Sequence, residues 1–461
     1  MGTLKETNDD RPRRDRRARL LLDAVGSGRP REILASARAA ESRGMDRLVV
    51  SETTHDPFVQ LARAADATST IEMATGVAIA FARTPMTLAY QAWGLHEASG
   101  GRAVVGLGSQ VKPHIVRRYG MPWDRPAARM TEYVQAVRAV WHSWQTGTRL
   151  SFRGDFYAHT LMTPAFAPDP VEAGPPRILL AGVGPRMASA AGAVADGFIS
   201  HPFTSVEHLT GTVLPAVRAA RAKAEADGAE WTDRPFEVVG NVLTATGRTE
   251  EELRANLLAV RERLAFYAST PAYRAVLDRH GWGELHERLH AMSVRGRWQE
   301  MGELIDDEVY DAFAVAGTPE EVARSIHQRY AGVVTRLAVH SAPTPTRSSP
   351  WTSSPASARW RRPGRSPERC RPGPKESQDS WRSICITSST TTSGRSIGMS
   401  CELCCATTRC RFGAALTNSC WAWRHSCASA AVVNGVREET IAMAGTLGGQ
   451  VSLWYARCTR P

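Results

Sequence analysis

The amino-acid sequence predicts an α/β protein: a (β/α)8 barrel with a helical insertion before the eighth strand, followed by an irregular or disordered C-terminal tail. Three observations carry this prediction. Short β-branched runs alternate with helical segments through the first 340 residues. The runs number eight, which favours a closed barrel over an open doubly wound sheet. The composition then changes abruptly from Ser341 onward.

Residues 1–18 read as a disordered basic arm, and 19–340 as the barrel. The first strand is expected at 20–25. A helix follows over 30–43, with Ile33, Ala37 and Ala40 at helical spacing. The run DRLVVS at 46–51 has the β-branched character of a strand buried on both faces. Further strands are expected at 71–80, 103–109, 177–183, 197–202, 236–246 and 336–340. Helices are expected at 57–67, 85–99, 126–142, 187–194 and 205–227. Residues 143–176 read as a small hairpin and loop, and 250–317 as a largely helical insert. Both intervals exceed a minimal barrel, and such insertions shape the pocket at the C-terminal mouth of the strands.

Charge separates body from tail. From Ser341 there are 16 Lys+Arg and 6 Asp+Glu, while the first 340 residues hold 41 and 40. The basic isoelectric point therefore belongs to the tail and argues for no specific nucleic-acid partner of the body. All nine cysteines also lie beyond residue 369. Cys401, Cys404, Cys405 and Cys410 lack the second correctly spaced pair of a zinc framework, so no metal is expected. Sudden Arg, Ser, Pro, Cys and Trp enrichment with a single lysine is the mark of a GC-rich gene read out of frame. Residues 341–461 are accordingly read as a low-order, frameshift-derived tail, leaving the barrel without the helix that should cover its eighth strand. No secretory signal and no apolar stretch of 18 residues appears, so the expectation is a cytoplasmic protein without membrane partners.

The informative residues in a barrel are those just after each strand. After the second strand come Glu52, His55 and Asp56; a histidine there can donate a hydrogen bond or a proton to a bound ring. The alternative is that Glu52 and Asp56 cap the next helix and His55 is solvated. Gly76 lies within the third strand, where glycine marks a bulge or a close ligand approach. GLGSQVK follows the fourth strand. After the fifth, Gly182-Val183-Gly184-Pro185 leaves backbone N–H groups uncrowded at a helix start. That is either an anion site or a turn that needs glycine for geometry alone.

The ordered series ASGGR at 98–102, GLGS, RYG at 118–120, PAARMTEY at 126–133, AGVGPRM and ADGF resembles the luciferase-like monooxygenase family. SETTHDPF, GLGSQVK and FYASTPAYRAVLDRHGW resemble its actinobacterial branch of deazaflavin (coenzyme F-420)-dependent oxidoreductases. The resemblance spans about 20–340. It implies a TIM barrel that binds F-420, or alternatively FMN, across its mouth, a small-molecule substrate and a homodimer. It also implies roles for single residues. His55 would approach the reactive edge of the ring as the catalytic group, and Gly76–Val77 would form a non-prolyl cis peptide behind it. Ser109 and Gln110 would approach the ring or ribityl chain, and Gly182, Val183, Gly184 and Pro185 would hold the phosphate. The acidic residue that follows GLG in the sugar-phosphate dehydrogenase branch is replaced by Gln110-Val111, which argues against a sugar phosphate.

Three functions follow. The chain is a hydride-transferring, deazaflavin-dependent oxidoreductase, an FMN-dependent monooxygenase, or a non-catalytic damaged barrel with a disordered basic tail.

Overall fold

The computed structural model describes residues 20–26 and 29–341, with six further strand segments between residues 397 and 459. Eight parallel strands close into a barrel. They are β1 Leu21–Gly26, β2 Arg47–Val50, β3 Glu72–Ile79, β4 Ala103–Gly108, β5 Arg177–Gly182, β6 Gly197–Ser200, β7 Glu237–Thr246 and β8 Arg336–Ser341. Each pairs with the next, and closure comes from β8 on β1, with Leu21 opposite Arg336. Closure satisfies the ladder groups that an open edge would expose.

Around the barrel run α1 Ile33–Ser42, α2 Pro57–Ala65, α3 Pro85–Ala98, α4 Pro126–Thr146, α5 Pro185–Val194, α6 Leu214–Ala226, α7 Glu250–Ala268 and α8 Pro319–Tyr330. Local chemistry sets several of their starts. Asp56 accepts from the N–H groups of Phe58 (2.8 Å) and Val59 (3.2 Å), and Thr84 accepts from Thr87. Thr318 and Glu321 form a reciprocal capping box. In each of these three the residue after the cap is proline, preset for the first helical position.

The expected strands and helices are recovered within a few residues, and the hairpin in 143–176 is Phe152–Arg153 paired with Ala158–His159. Two differences stand out. The insert is not helical throughout: after helices Arg274–Arg279, Gly283–Val294, Trp298–Met301 and Asp307–Phe313 it ends in a short strand, Ala314–Gly317, parallel to β7. Its residues, AVAG, lack the β-branched run that marks the other short strands. Residues 205–227 do form a helix without a break from Val206 to Ala226, but its turns widen to a π-type stretch at Leu209–Val213 before α6.

Between barrel and helices lies the core, with Trp93, Trp141, Tyr133, Phe81 and Phe198 all nearly fully buried. Every residue of β4 is buried. Each large apolar side chain of this kind contributes about 1.5–3 kcal/mol. β1 is less well covered: Leu22 is 38% exposed, on the face opposite the buried Asp23.

The N-terminal end of the barrel is closed by charge. Arg47 contacts Glu72 (2.7 Å) and Glu237 (3.0 Å), while Arg336 contacts Asp23 (2.8 Å) and Glu72 (3.1 Å). Arg177 joins Glu72 and Glu237. Three arginines thus face three carboxylates, each close to the start of its strand.

By compactness the chain divides into two units, Met1–Trp360 and Arg361–Pro461. In the second, Val436–Leu447 pairs antiparallel with Gln450–Thr459, with Arg424–Cys427 and with Ala431–Val433. The expected low-order tail therefore contains a described ladder, and a short pair, Ile397–Gly398 with Ala415–Leu416; Cys401, Cys404, Cys405 and Cys410 lie outside the described residues, as do residues 1–18.

Candidate active site

At the C-terminal ends of the strands opens a cavity of about 520 Å³. Its wall brings together Gly76, Val77, Ser109, Gln110, Gly182 and Val183 from three separate strand ends. Gly184 and Pro185 continue the last of these turns into α5. His55 is half-buried on the loop after β2 and is not among the residues that line the cavity.

Gly76–Val77 is a cis peptide. The Ser51 hydroxyl donates to the Gly76 carbonyl (2.6 Å), and the Glu52 N–H donates to that of Val77 (3.2 Å). The pairing of β3 with β4 shifts register here, between Thr75 and Ala78. A Cβ on Gly76 would lie 2.0 Å from a Val49 methyl, so close approach alone demands glycine. Glu52 does not cap α2. It holds Arg83 through two hydrogen bonds (2.8 and 3.0 Å) and accepts the Ile79 N–H (2.7 Å), leaving the capping to Asp56.

Gln110 adopts a left-handed conformation (φ 60°), which few non-glycine residues take. Its side-chain oxygen accepts the Val111 N–H (3.0 Å), and the Ser109 hydroxyl donates to the Gln110 carbonyl (3.1 Å). Both polar side chains are thus spent on shaping the turn.

The two glycines of the turn after β5 differ in what the packing asks of them. Gly182 is required by packing, since a Cβ would meet Met187 at 2.8 Å. Gly184 is not: its backbone is extended (φ −94°), and a Cβ there would meet nothing within 4 Å. Asp56, Thr84 and Thr318 satisfy the first N–H groups of their helices, but Gly184 has no side chain to do so for α5. Arg125 likewise gives α4 no side-chain cap and Glu32 gives α1 none, but neither start adjoins a cavity-lining residue, whereas α5 begins directly after Gly182 and Val183, which line it. The His208 imidazole, 3.0 Å from the Val183 carbonyl, steadies the turn. Uncapped amides at a positive helix end favour an anion.

A second polar group, on β6, β7, β8 and the insert, was not singled out from sequence. The Phe203 N–H donates to His201 Nδ1 (3.0 Å), so the neutral ring carries its proton on Nε2 and donates it to the Tyr273 hydroxyl (3.1 Å). The two rings stack with centroids 4.5 Å apart. His340 Nε2 bonds Asn241 Oδ1 (2.6 Å), and the Asn241 amide donates to the Ser200 carbonyl (2.7 Å). Burial pushes His201 down to about 3 and, with Arg263 nearby, His340 down to about 4, so both rings are neutral. Burial also pushes Tyr273 up to about 12. His201 and His340 stand at the ends of β6 and β8. Inspecting those strand ends as closely as the second and fourth would have found them.

Among the described residues no cluster of His, Cys, Asp or Glu could hold a metal ion, and no helix is long and apolar enough to cross a membrane. Residues 16–336 match the family model of luciferase-like monooxygenases. The chain belongs to the luciferase-like monooxygenase family. It is 45% identical over 319 residues to an uncharacterized protein of Mycobacterium tuberculosis, covering 69% of this chain and 92% of that one. It is 31% identical over 213 residues to F-420-dependent glucose-6-phosphate dehydrogenase 2 of Rhodococcus jostii, covering 43% and 61%. The coenzyme F-420-dependent tetrahydromethanopterin reductase of Methanopyrus kandleri shares the fold. Its TM-score is 0.55 at 20% identity, over 69% of this chain and 92% of that one. The closed barrel and the cis Gly76–Val77 agree with what the resemblance implied, and the family makes the chain an oxidoreductase or monooxygenase.

Proposed function

We propose that this chain is a deazaflavin-dependent oxidoreductase that moves hydride between F-420 and a small organic substrate. The observation that carries the reading is the convergence of Gly76–Val77, Ser109–Gln110 and the Gly182–Val183 turn on one cavity. The mouth fits a flavin-type group: the uncapped amides after Gly184 suit a phosphate, and Gly76 of β3 adds no side chain to the wall that a ring would face. The F-420-dependent relative supports the deazaflavin over FMN. When bound, the deazaflavin supplies hydride chemistry without oxygen activation.

The protein's share is position and exclusion. Gly76, Val77, Ser109 and Gln110 back the ring, while Gly182, Val183, Gly184 and Pro185 hold the phosphate. His55, on the loop after β2 and outside the cavity wall, is assigned the ring edge, which requires its loop to turn the imidazole toward the mouth when the cofactor binds. The half-buried Tyr267 and Tyr273, from the insert, cover the mouth and limit water.

Fluorescence titration of the full chain with F-420 and with FMN tests the reading. Micromolar binding of F-420, with FMN at least about tenfold weaker, is the expected result. Preference for FMN, with oxygen consumed on reduction, would establish the monooxygenase reading instead, and binding of neither would remove both. His55→Ala should slow single-turnover oxidation of the reduced cofactor by about 100-fold or more; an unchanged rate removes His55 from the chemistry.

A further inference from the structure

Four charged side chains line the cavity: Asp23, Arg47, Glu52 and Arg263. Three are answered within the fold. Asp23 and Arg47 belong to the ion-pair cluster at the N-terminal end, and Glu52 is held by Arg83. Arg263 differs. It is half-buried on α7 and has no ion pair or hydrogen bond among the described residues. The cavity therefore carries one positive charge that nothing in the described fold offsets. A half-buried guanidinium without a partner forfeits part of its hydration with no return, which is the arrangement of a site awaiting an anion.

The neighbours of Arg263 share its polarity. Tyr267 follows it by four residues on α7, hence on the same helical face, and also lines the cavity. Tyr273, just beyond the helix, receives a hydrogen bond from His201 Nε2, so its own O–H proton is left to donate into the cavity. Arg263 stands close enough to His340 and Tyr267 to act on both through its field. With His340 and His201 neutral, and Asp23, Arg47 and Glu52 already held in ion pairs, no second unpaired charge of the cavity contributes or competes. This corner is carried by the insert and the β6–β8 side, on different elements from the Gly182–Pro185 turn after β5.

We propose that Arg263 and Tyr273 form a recognition corner for a carboxylate on the substrate, which makes the substrate a small organic monoacid. It rests on reading the mouth as a cofactor and substrate site. A single guanidinium matches a single negative charge, and its paired N–H groups match the two oxygens of a carboxylate. A phosphate dianion would leave one charge uncompensated. The other source of such an anion is the acidic side chain of the cofactor itself, and the test separates the two.

The probes are benzoate and its neutral isostere benzamide, titrated into the full chain by calorimetry, with F-420 and FMN titrated in parallel. Benzoate is expected to bind about tenfold or more tighter than benzamide. Arg263→Met should abolish that preference while changing cofactor affinity less than about twofold. Arg263→Lys should keep part of it, and Tyr273→Phe, which retains the ring stack, should weaken benzoate severalfold and leave benzamide unchanged. Equal affinity for benzoate and benzamide in the unmodified chain overturns the proposal. A loss of cofactor affinity in Arg263→Met as large as the loss for benzoate overturns it as well, by assigning the corner to the cofactor. Because cofactor binding is read directly, failure to bind either cofactor counts against the proposed function, whereas cofactor binding without benzoate selectivity counts against this corner alone.

Discussion

At the N-terminal end of the barrel Arg47, Arg177 and Arg336 face Asp23, Glu72 and Glu237, whereas at the mouth Arg263 meets the cavity with no carboxylate paired to it among the described residues. Both ends mix charge with burial, yet they solve the problem differently. The closed end neutralises its charges internally, as a structural plug must when no ligand reaches it. The mouth leaves one charge open and keeps His201 and His340 neutral. A barrel of this kind separates the two demands along its axis, with stability at the strand starts and recognition at the strand ends.

The largest expected effect comes from breaking the closed end. Arg336→Met removes the 2.8 Å partner of Asp23 and a contact to Glu72, leaving Asp23 only the more distant Arg47 at 3.9 Å. Loss of one member of a buried ion-pair network costs about 3–5 kcal/mol. The urea midpoint, followed by circular dichroism, should fall accordingly, while cofactor affinity of the remaining folded protein stays unchanged. By contrast Arg263→Met should shift the midpoint by no more than about 0.5 kcal/mol, since no partner is left unpaired. A midpoint loss of similar size for both variants would erase the distinction between the ends.

Gly184→Ala sharpens the comparison within the mouth. The added methyl meets no protein atom within 4 Å, so folding should change by less than about 1 kcal/mol. A phosphate seated on the amides that follow would meet it, and cofactor affinity should drop about tenfold, as expected when a close backbone contact is blocked. Unchanged affinity for both F-420 and FMN would place the phosphate elsewhere.

Much of this was legible in the sequence, and the reason is physical. Strands such as Ala103–Gly108, buried on both faces, must be continuous apolar runs, and the turns after them must carry the residues that break the ladder. Gly76–Val77 and Gly182–Gly184 therefore announced themselves. Arg263 did not. On a helix whose neighbours include Glu262 and Arg261, an isolated arginine reads as a solvated face, and only the packing of α7 against the barrel turns it inward. Tyr273 was equally hidden, because its value as a donor depends on the tautomer of His201, set by a backbone N–H two residues beyond that ring. Ala314–Gly317 was missed because AVAG, with two alanines and a glycine, lacks the β-branched run that marks the equally short Arg47–Val50.

In the pH dependence of stability the two ends act in opposite directions. His201 and His340 are held down to about 3 and about 4, below the ordinary 6.5 of the unfolded chain. Between about pH 4 and 6.5 the unfolded state therefore binds more protons at these positions, and stability rises with pH. Asp23 is pushed up to about 6 by burial, despite Arg47 and Arg336, against 3.8 when unfolded. Between about pH 4 and 6 the folded state binds the extra proton there, and stability falls with pH. Two groups at the mouth oppose one at the closed end, so their net contribution to the urea midpoint should climb across this window. Asp23→Asn should steepen the climb and His201→Phe should flatten it. If Asp23→Asn flattened it instead, the carboxylate would be ionised in the fold throughout the window, and the closed end would be a more complete ion-pair network than the geometry of Asp23, with one oxygen lacking a hydrogen bond, implies.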